Sequence, residues 1–148
     1  MKYVHTNIVT KNWKRLSQFY IDVFECIPVP PIRNQSGAWL ENGTGVVGAQ
    51  IKGIHLRLPG YGEFGPTLEI YQYSNVKDSQ PSVANRRGIG HLAFEVDDIE
   101  SLIATVKENG GKEAGSLSKT VVEGVGELAF VYLADPDGNI IEIQNWSA

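Results

Sequence analysis

A histidine and a glutamate recur at matching places in the two halves of this chain, each set in strand-like apolar sequence. His5 opens His5-Thr6-Asn7-Ile8-Val9-Thr10, and His91 opens His91-Leu92-Ala93-Phe94-Glu95-Val96. The two histidines lie 86 residues apart, and the same offset brings Ile8 onto Phe94, Asn12 onto Asp98, Trp13 onto Ile99 and Leu16 onto Leu102. Glu69 lies in Thr67-Leu68-Glu69-Ile70-Tyr71 and Glu142 in Ile140-Ile141-Glu142-Ile143-Gln144, 73 residues apart. A charged residue repeated inside apolar runs points to two copies of one unit that share a site.

Each copy reads as strand, helix, then strands. In the first, residues 3 to 10 alternate as a strand. Asn12 is placed to cap a helix over residues 13 to 25, where Trp13, Leu16, Phe19, Tyr20, Val23 and Phe24 share one apolar face. Pro28, Pro30 and Pro31 stop any helix. Strands are expected near 37–41, 49–58 and 66–73. In the second copy a strand at 90–96 leads to a helix capped by Asp97 or Asp98. That helix carries Ile99, Leu102, Ile103 and Val106 and ends at Gly110-Gly111. Strands follow near 117–123, 127–134 and 139–146, the last two joined by the turn sequence Asp135-Pro136-Asp137-Gly138-Asn139. This gives an α+β chain, module one over 1–74, a polar linker over 75–89 and module two over 90–148. The His-to-Glu interval is 64 residues in module one and 51 in module two. The longer interval predicts an elaborated loop or extended strand between the helix and fourth strand of module one.

Strand parity separates the faces. Leu68 and Ile70 point to the core, whereas Thr67, Glu69, Tyr71 and Tyr73 point away. Ile141 and Ile143 likewise oppose Glu142. Two imidazoles and two carboxylates suit a divalent first-row ion such as Zn, Ni, Co, Fe or Mn. A carboxylate in an apolar strand is costly unless it is paired, hydrogen-bonded or bound to a cation. The plainer reading of any one of these residues is a half-buried histidine or a solvated glutamate; it is the matched repeat that favours ligands.

The rest of the sequence narrows the field. One domain is the usual expectation for 148 residues. A net charge of −4 argues against nucleic acid as a partner. No apolar run approaches the roughly 20 residues of a membrane span. The first residues carry no apolar signal core, and one cysteine, Cys26, cannot form an internal disulfide, so a reducing cytoplasm is the expectation. His55 and Arg57 alternate on one face of Ile54-His55-Leu56-Arg57-Leu58 and can bind an anionic substrate group, as can Arg86 beside Arg87; Tyr71 shares the face of Glu69. Solvated or cross-strand polar faces explain His55, Arg57 and Arg86 more simply.

Several segments carry a resemblance to a known family. They are His5-Thr6-Asn7-Ile8-Val9, Leu68-Glu69-Ile70-Tyr71, Gly90-His91-Leu92-Ala93-Phe94-Glu95-Val96 and Tyr132-Leu133-Ala134-Asp135-Pro136-Asp137-Gly138-Asn139-Ile140-Ile141-Glu142. With them the chain resembles the vicinal oxygen chelate superfamily, the glyoxalase, bleomycin-resistance and extradiol dioxygenase group. The resemblance implies paired βαβββ modules forming curved half-barrels around a metal cleft. It implies one divalent metal per chain, held by His5, Glu69, His91 and Glu142 from the first and fourth strands. That ligand set is most similar to glyoxalase I. Methylmalonyl-CoA epimerase is similar but has an amide in place of one carboxylate, and extradiol dioxygenases lack a ligand at the position of Glu69. The implied activity is that of a metal-dependent lyase or isomerase, lactoylglutathione lyase-like or epimerase-like. It would move a proton next to a coordinated carbonyl of a small-molecule substrate, with Glu142 or Glu69 as base, in a homodimer. A sequestering protein for a small molecule such as an antibiotic, and an extradiol-type dioxygenase, are the competing readings.

Overall fold

The computed structural model describes residues 1–147 and divides into two units, Met1–Ser79 and Gln80–Ala148. In the first unit, β1 (His5–Val9) is followed by α1 (Trp13–Phe24), β2 (Ile27–Ser36), α2 (Ala38–Thr44), β3 (Gln50–Arg57) and β4 (Thr67–Tyr73). The sheet order is β1-β4-β3-β2. β1 runs parallel to β4, and the other neighbours are antiparallel. The Asn12 side chain caps α1 by accepting from the Arg15 amide at 3.1 Å. Leu16, Phe19, Tyr20, Val23 and Phe24 on α1 are buried together with Leu56, Leu68 and Ile70 of the sheet. Each such side chain contributes on the order of 1.5–3 kcal/mol.

The second unit repeats the plan. It contains β5 (Leu92–Glu95), α3 (Ile99–Glu108), the two-residue β6 (Lys112–Glu113), β7 (Ser118–Val122), β8 (Gly126–Ala134) and β9 (Ile140–Ser147). β5 pairs parallel with β9, as β1 does with β4, and β8 pairs antiparallel with β9. Asp98 rather than Asp97 caps α3, accepting from the Ser101 amide at 2.9 Å. The β8–β9 turn is built on Asp135, which is 2% exposed. Its carboxylate accepts from the amides of Asp137 and Asn139 and from Asn139 Nδ2. The α+β fold of paired modules expected from the sequence is thus the one observed.

The elaborated segment of module one differs from expectation. A strand was expected near 37–41; residues 38–44 are instead the helix α2. Gly37, at φ +109°, ends the preceding strand, and Ala38-Trp39-Leu40-Glu41 follows it into the helix. Leu40 is the one buried side chain of α2 and packs with Ala49 and Ile51. The prolines stop a helix, as expected, but they do not stop a strand. β2 runs through Pro28, Pro30 and Pro31 at the sheet edge, and its register with β3 shifts between Val29 and Arg33. Proline is tolerated on an edge and at a bulge because no inward ladder bond is lost there.

Gly53 of β3 sits opposite Arg33 on one side and Tyr71 on the other. A Cβ at this position would lie 2.1 Å from the Ile70 carbonyl oxygen and 2.6 Å from Tyr71 Cδ1. The bare glycine is what lets the Ile70 carbonyl and the Tyr71 ring come this close to β3. Gly53→Ala is therefore expected to destabilise the fold by roughly 1–3 kcal/mol through overpacking. Urea unfolding is the check; an unchanged midpoint and slope would show that both the β4 backbone at Ile70 and the Tyr71 ring can give way.

Candidate functional site

Strand register assembles the polar side chains of module one in rows. β1, β4, β3 and β2 align His5 with Thr67, Arg57 and Ile27 in one row. The next holds Asn7, Glu69, His55 and Val29, and the third Val9, Tyr71, Gly53 and Arg33. Residues in register share a face, and residues two apart along a strand do too. His5, Asn7, Glu69, His55, Tyr71 and Arg33 therefore occupy one face, opposite the face buried under α1. A slip of β4 by one residue against its neighbours would turn Glu69 into the apolar core.

Glu69 is 7% exposed, and its charge is met by several neighbours. His55 Nε2 lies 2.9 Å from Oε1. His5 Nε2 lies 3.4 Å from Oε2, and Asn7 Nδ2 lies 3.4 Å from both Oε2 and the Glu69 carbonyl oxygen. His55 Nε2 is also 2.7 Å from the Tyr71 hydroxyl. Burial lowers the His55 pKa; Glu69 opposes this, and Arg33 and His5 add to the lowering. The Tyr71 hydroxyl is pushed up to about 12, first by burial and then by the charge and hydrogen bonding of Glu69, while Arg33 pulls the other way. The tyrosine is thus a neutral hydrogen-bonding group at any ordinary pH.

Module two offers a simpler arrangement. His91 stands one residue before β5, and its Nε2 lies 2.9 Å from Glu142 Oε2. The side chains are 33% and 15% exposed. Tyr132 of β8 is in register with Glu142, and its ring lies 4.9 Å from the His91 ring, centroid to centroid.

His5 is thus brought to Glu69, and His91 to Glu142. Among the described residues, no group of three or more His, Cys, Asp and Glu side chains is arranged to hold a metal ion. The donors nevertheless fit a divalent ion in kind: each module offers an imidazole nitrogen and a carboxylate oxygen on one face. In module one the third imidazole is already engaged, since His55 Nε2 faces both Glu69 and the Tyr71 hydroxyl.

The remaining substrate-binding expectations divide. His55 is paired with Glu69, so its role toward an anionic substrate group does not follow from its contacts. Arg57 lies in the His5 and Thr67 row, half-buried. Arg86 donates to the Pro81 carbonyl oxygen at 2.5 Å, within its own exposed segment. Sequence reasoning missed Asn7 and Arg33. The alternation around Glu69 and His55 could have found Asn7. Arg33 lies beyond the register shift of β2, which no sequence signal marks. A cavity of about 490 Å3, lined by Val9, Val46, Val47, Tyr73 and Lys77, opens near the same rows.

These two His–Glu pairs, on strands paired in parallel within two repeated modules, define a class. The sequence profile of the Glyoxalase/Bleomycin resistance protein/Dioxygenase superfamily matches residues 2–143, and the chain belongs to that superfamily. A glyoxalase family protein from Bacillus cereus is similar in structure, with a TM-score of 0.78 at 17% identity over 100% of this chain and 94% of that one. A glyoxalase family protein from Enterococcus faecalis gives a TM-score of 0.60 at 23% identity, covering 97% and 96%. A virulence protein from Salmonella typhimurium gives 0.55 at 16% identity, covering 99% and 98%. At these identities the likeness concerns the fold alone. No curated protein matches the chain by sequence.

Cys26 is the one thiol in the sequence and is buried. Burial pushes its pKa up to about 12. It is therefore no thiolate nucleophile at neutral pH. In the folded protein a disulfide reagent at pH 8 is expected to leave Cys26 unmodified, and urea should release one reactive thiol per chain. Rapid labelling of the native protein would contradict the buried placement.

Proposed function

We propose that the protein is a divalent-metal-dependent lyase or isomerase that moves a proton next to a carbonyl of a small substrate. His5 and Glu69 of module one and His91 and Glu142 of module two would hold the ion. The observation that carries this reading is the preserved pairing of an imidazole with a carboxylate at equivalent positions of both modules. Such an ion supplies Lewis acidity, which polarises a carbonyl and lowers the pKa of the neighbouring C–H.

The chain's own residues would do the rest. Among the described residues, His91 is the one ion-pair partner of Glu142, whereas Glu69 is bound from three sides. The less restrained carboxylate is the better proton carrier. Glu142 would take the proton from carbon and return it, a contribution on the order of 10²–10⁴-fold. His5 and His91 would serve as ligands and Glu69 as an anchored one. The cavity beside Val9 and Tyr73 offers room for the apolar body of a substrate, with Lys77 at its rim. Retention of both carboxylates favours catalysis over simple sequestration, and Glu69 sets the chain apart from an extradiol dioxygenase. A cytoplasmic homodimer is part of the same proposal: β1, β2 and β5 end their hydrogen-bonded strand orders, and sheet edges need covering.

Three measurements bear on it. Metal analysis should find a divalent ion in the wild type and its loss in His5→Ala and Glu142→Ala; stoichiometric metal in both variants would remove the assignment. With α-keto or α-hydroxy thioesters and thiohemiacetals in D2O, NMR should show α-proton exchange, slowed about 100-fold or more by Glu142→Gln and less by Glu69→Gln. Cleavage of a catechol with oxygen uptake, and no exchange, would favour the dioxygenase. Light scattering at micromolar concentration should give the mass of a dimer, and a monomeric mass would contradict that part.

A further inference from the structure

We infer that His55 and Tyr71, backed by Arg33, are positioning residues that hold Glu69 by one carboxylate oxygen and leave the oxygen beside His5 to act. The inference concerns how Glu69 is presented, and only its metal arm rests on the function proposed above.

The two oxygens of Glu69 are not equivalent. Oε1 faces His55 Nε2 at 2.9 Å, the closer of the Glu69 contacts. Oε2 faces His5 Nε2 and Asn7 Nδ2, each at 3.4 Å, both long contacts. His55, its Nε2 turned to Oε1, occupies that oxygen. Tyr71 then fixes the His55 ring from the side, its hydroxyl 2.7 Å from the same nitrogen and within reach of both Glu69 and Arg33. The bracket thus runs across three strands, from Arg33 on β2 through His55 on β3 to Glu69 and Tyr71 on β4.

Gly53 makes the bracket possible. A Cβ there would meet the Ile70 carbonyl oxygen first and the Tyr71 ring next, so the glycine lets both β4 and that ring lie close against β3. The second module shows that the fold does not require such a device. Tyr132 holds the place opposite Glu142 that His55 holds opposite Glu69, and Phe130 and Gln144 hold the places of Gly53 and Tyr71. The bracket therefore belongs to one carboxylate, not to the βαβββ plan. Residues of this kind, hydrogen-bonded to a ligand rather than to the ion, commonly change metal affinity 10–100-fold.

The test has an arm without metal. In the 15N-histidine NMR spectrum of the metal-free protein, His55 should be the Nε2–H tautomer, and Glu69→Gln should shift its resonance. An Nδ1–H tautomer, or no response to Glu69→Gln, would overturn the inference. In Co(II) titrations, His55→Leu should weaken binding about 10–100-fold at unchanged stoichiometry, and Tyr71→Phe should weaken it less. His55→Gln, which keeps an N–H near the position of Nε2, should restore wild-type affinity and the same number of imidazole ligands by X-ray absorption. Unaltered affinity in His55→Leu would show that His55 holds nothing of consequence. Loss of one imidazole in His55→Gln would make His55 a ligand and refute the positioning role. If the wild type binds no Co(II), the metal proposal falls, and the tautomer and its response to Glu69→Gln decide the inference by themselves.

Discussion

A carboxylate on a strand whose other face is fully buried is the constraint around which module one is arranged. Glu69 lies between Leu68 and Ile70, both with no exposed surface, and is itself nearly buried. Removing a carboxylate from water costs several kcal/mol unless donors replace the water. β1 supplies His5 and Asn7 through its parallel pairing with β4, and β3 supplies His55 through the antiparallel pairing on the other side. The register of three strands is thereby tied to the needs of one charge. The same register sets Gly53 where the Ile70 carbonyl and the Tyr71 ring come close to β3.

Much of this was legible in the chain. The alternation around Glu69 and Glu142 is strict enough to assign faces, and the offset of His5 from His91 identifies the repeat. The cap Asn12, and a second at Asp97 or Asp98, follow from the short polar residue before an apolar three-four pattern; the Ser101 amide selects Asp98. Periodicity failed where it is weakest, in short segments ruled by backbone effects. Residues 38–44 carry too few apolar positions to distinguish a helix from a strand, and burial of Leu40 against Ala49 and Ile51 decides the matter. The proline-bearing β2 is acceptable only because it lies at an edge, a fact of topology rather than of local sequence. His55 and Arg57 were rightly placed on one face, but their neighbours depend on which strand pairs with which. The His55–Glu69 contact joins residues whose pairing no local pattern specifies.

The two modules use one plan for different ends. Both pair the first strand in parallel with the last and bring an imidazole to a glutamate. Module one then adds α2, a longer β2 and the bracket of His55, Tyr71 and Arg33. Module two leaves Glu142 with His91 and the neighbouring Tyr132 ring. Two similar carboxylates thus stand in unlike surroundings, and the function proposed above would use one as an anchored ligand and the other to move a proton. Membership of the superfamily fits this reading without selecting a substrate, because the fold hosts several activities and the site must distinguish them.

The central claim is that the four repeated residues are donors to one kind of ion. A crystal of the protein purified with its native metal, measured at that metal's absorption edge, tests it most directly. The account predicts an anomalous peak at bonding distance, roughly 2.0–2.2 Å, from the nitrogens of His5 and His91 and the oxygens of Glu69 and Glu142. It also predicts that the Glu69 oxygen in the bond is the one turned toward His5. A peak elsewhere, or bonded to neither glutamate, would contradict it.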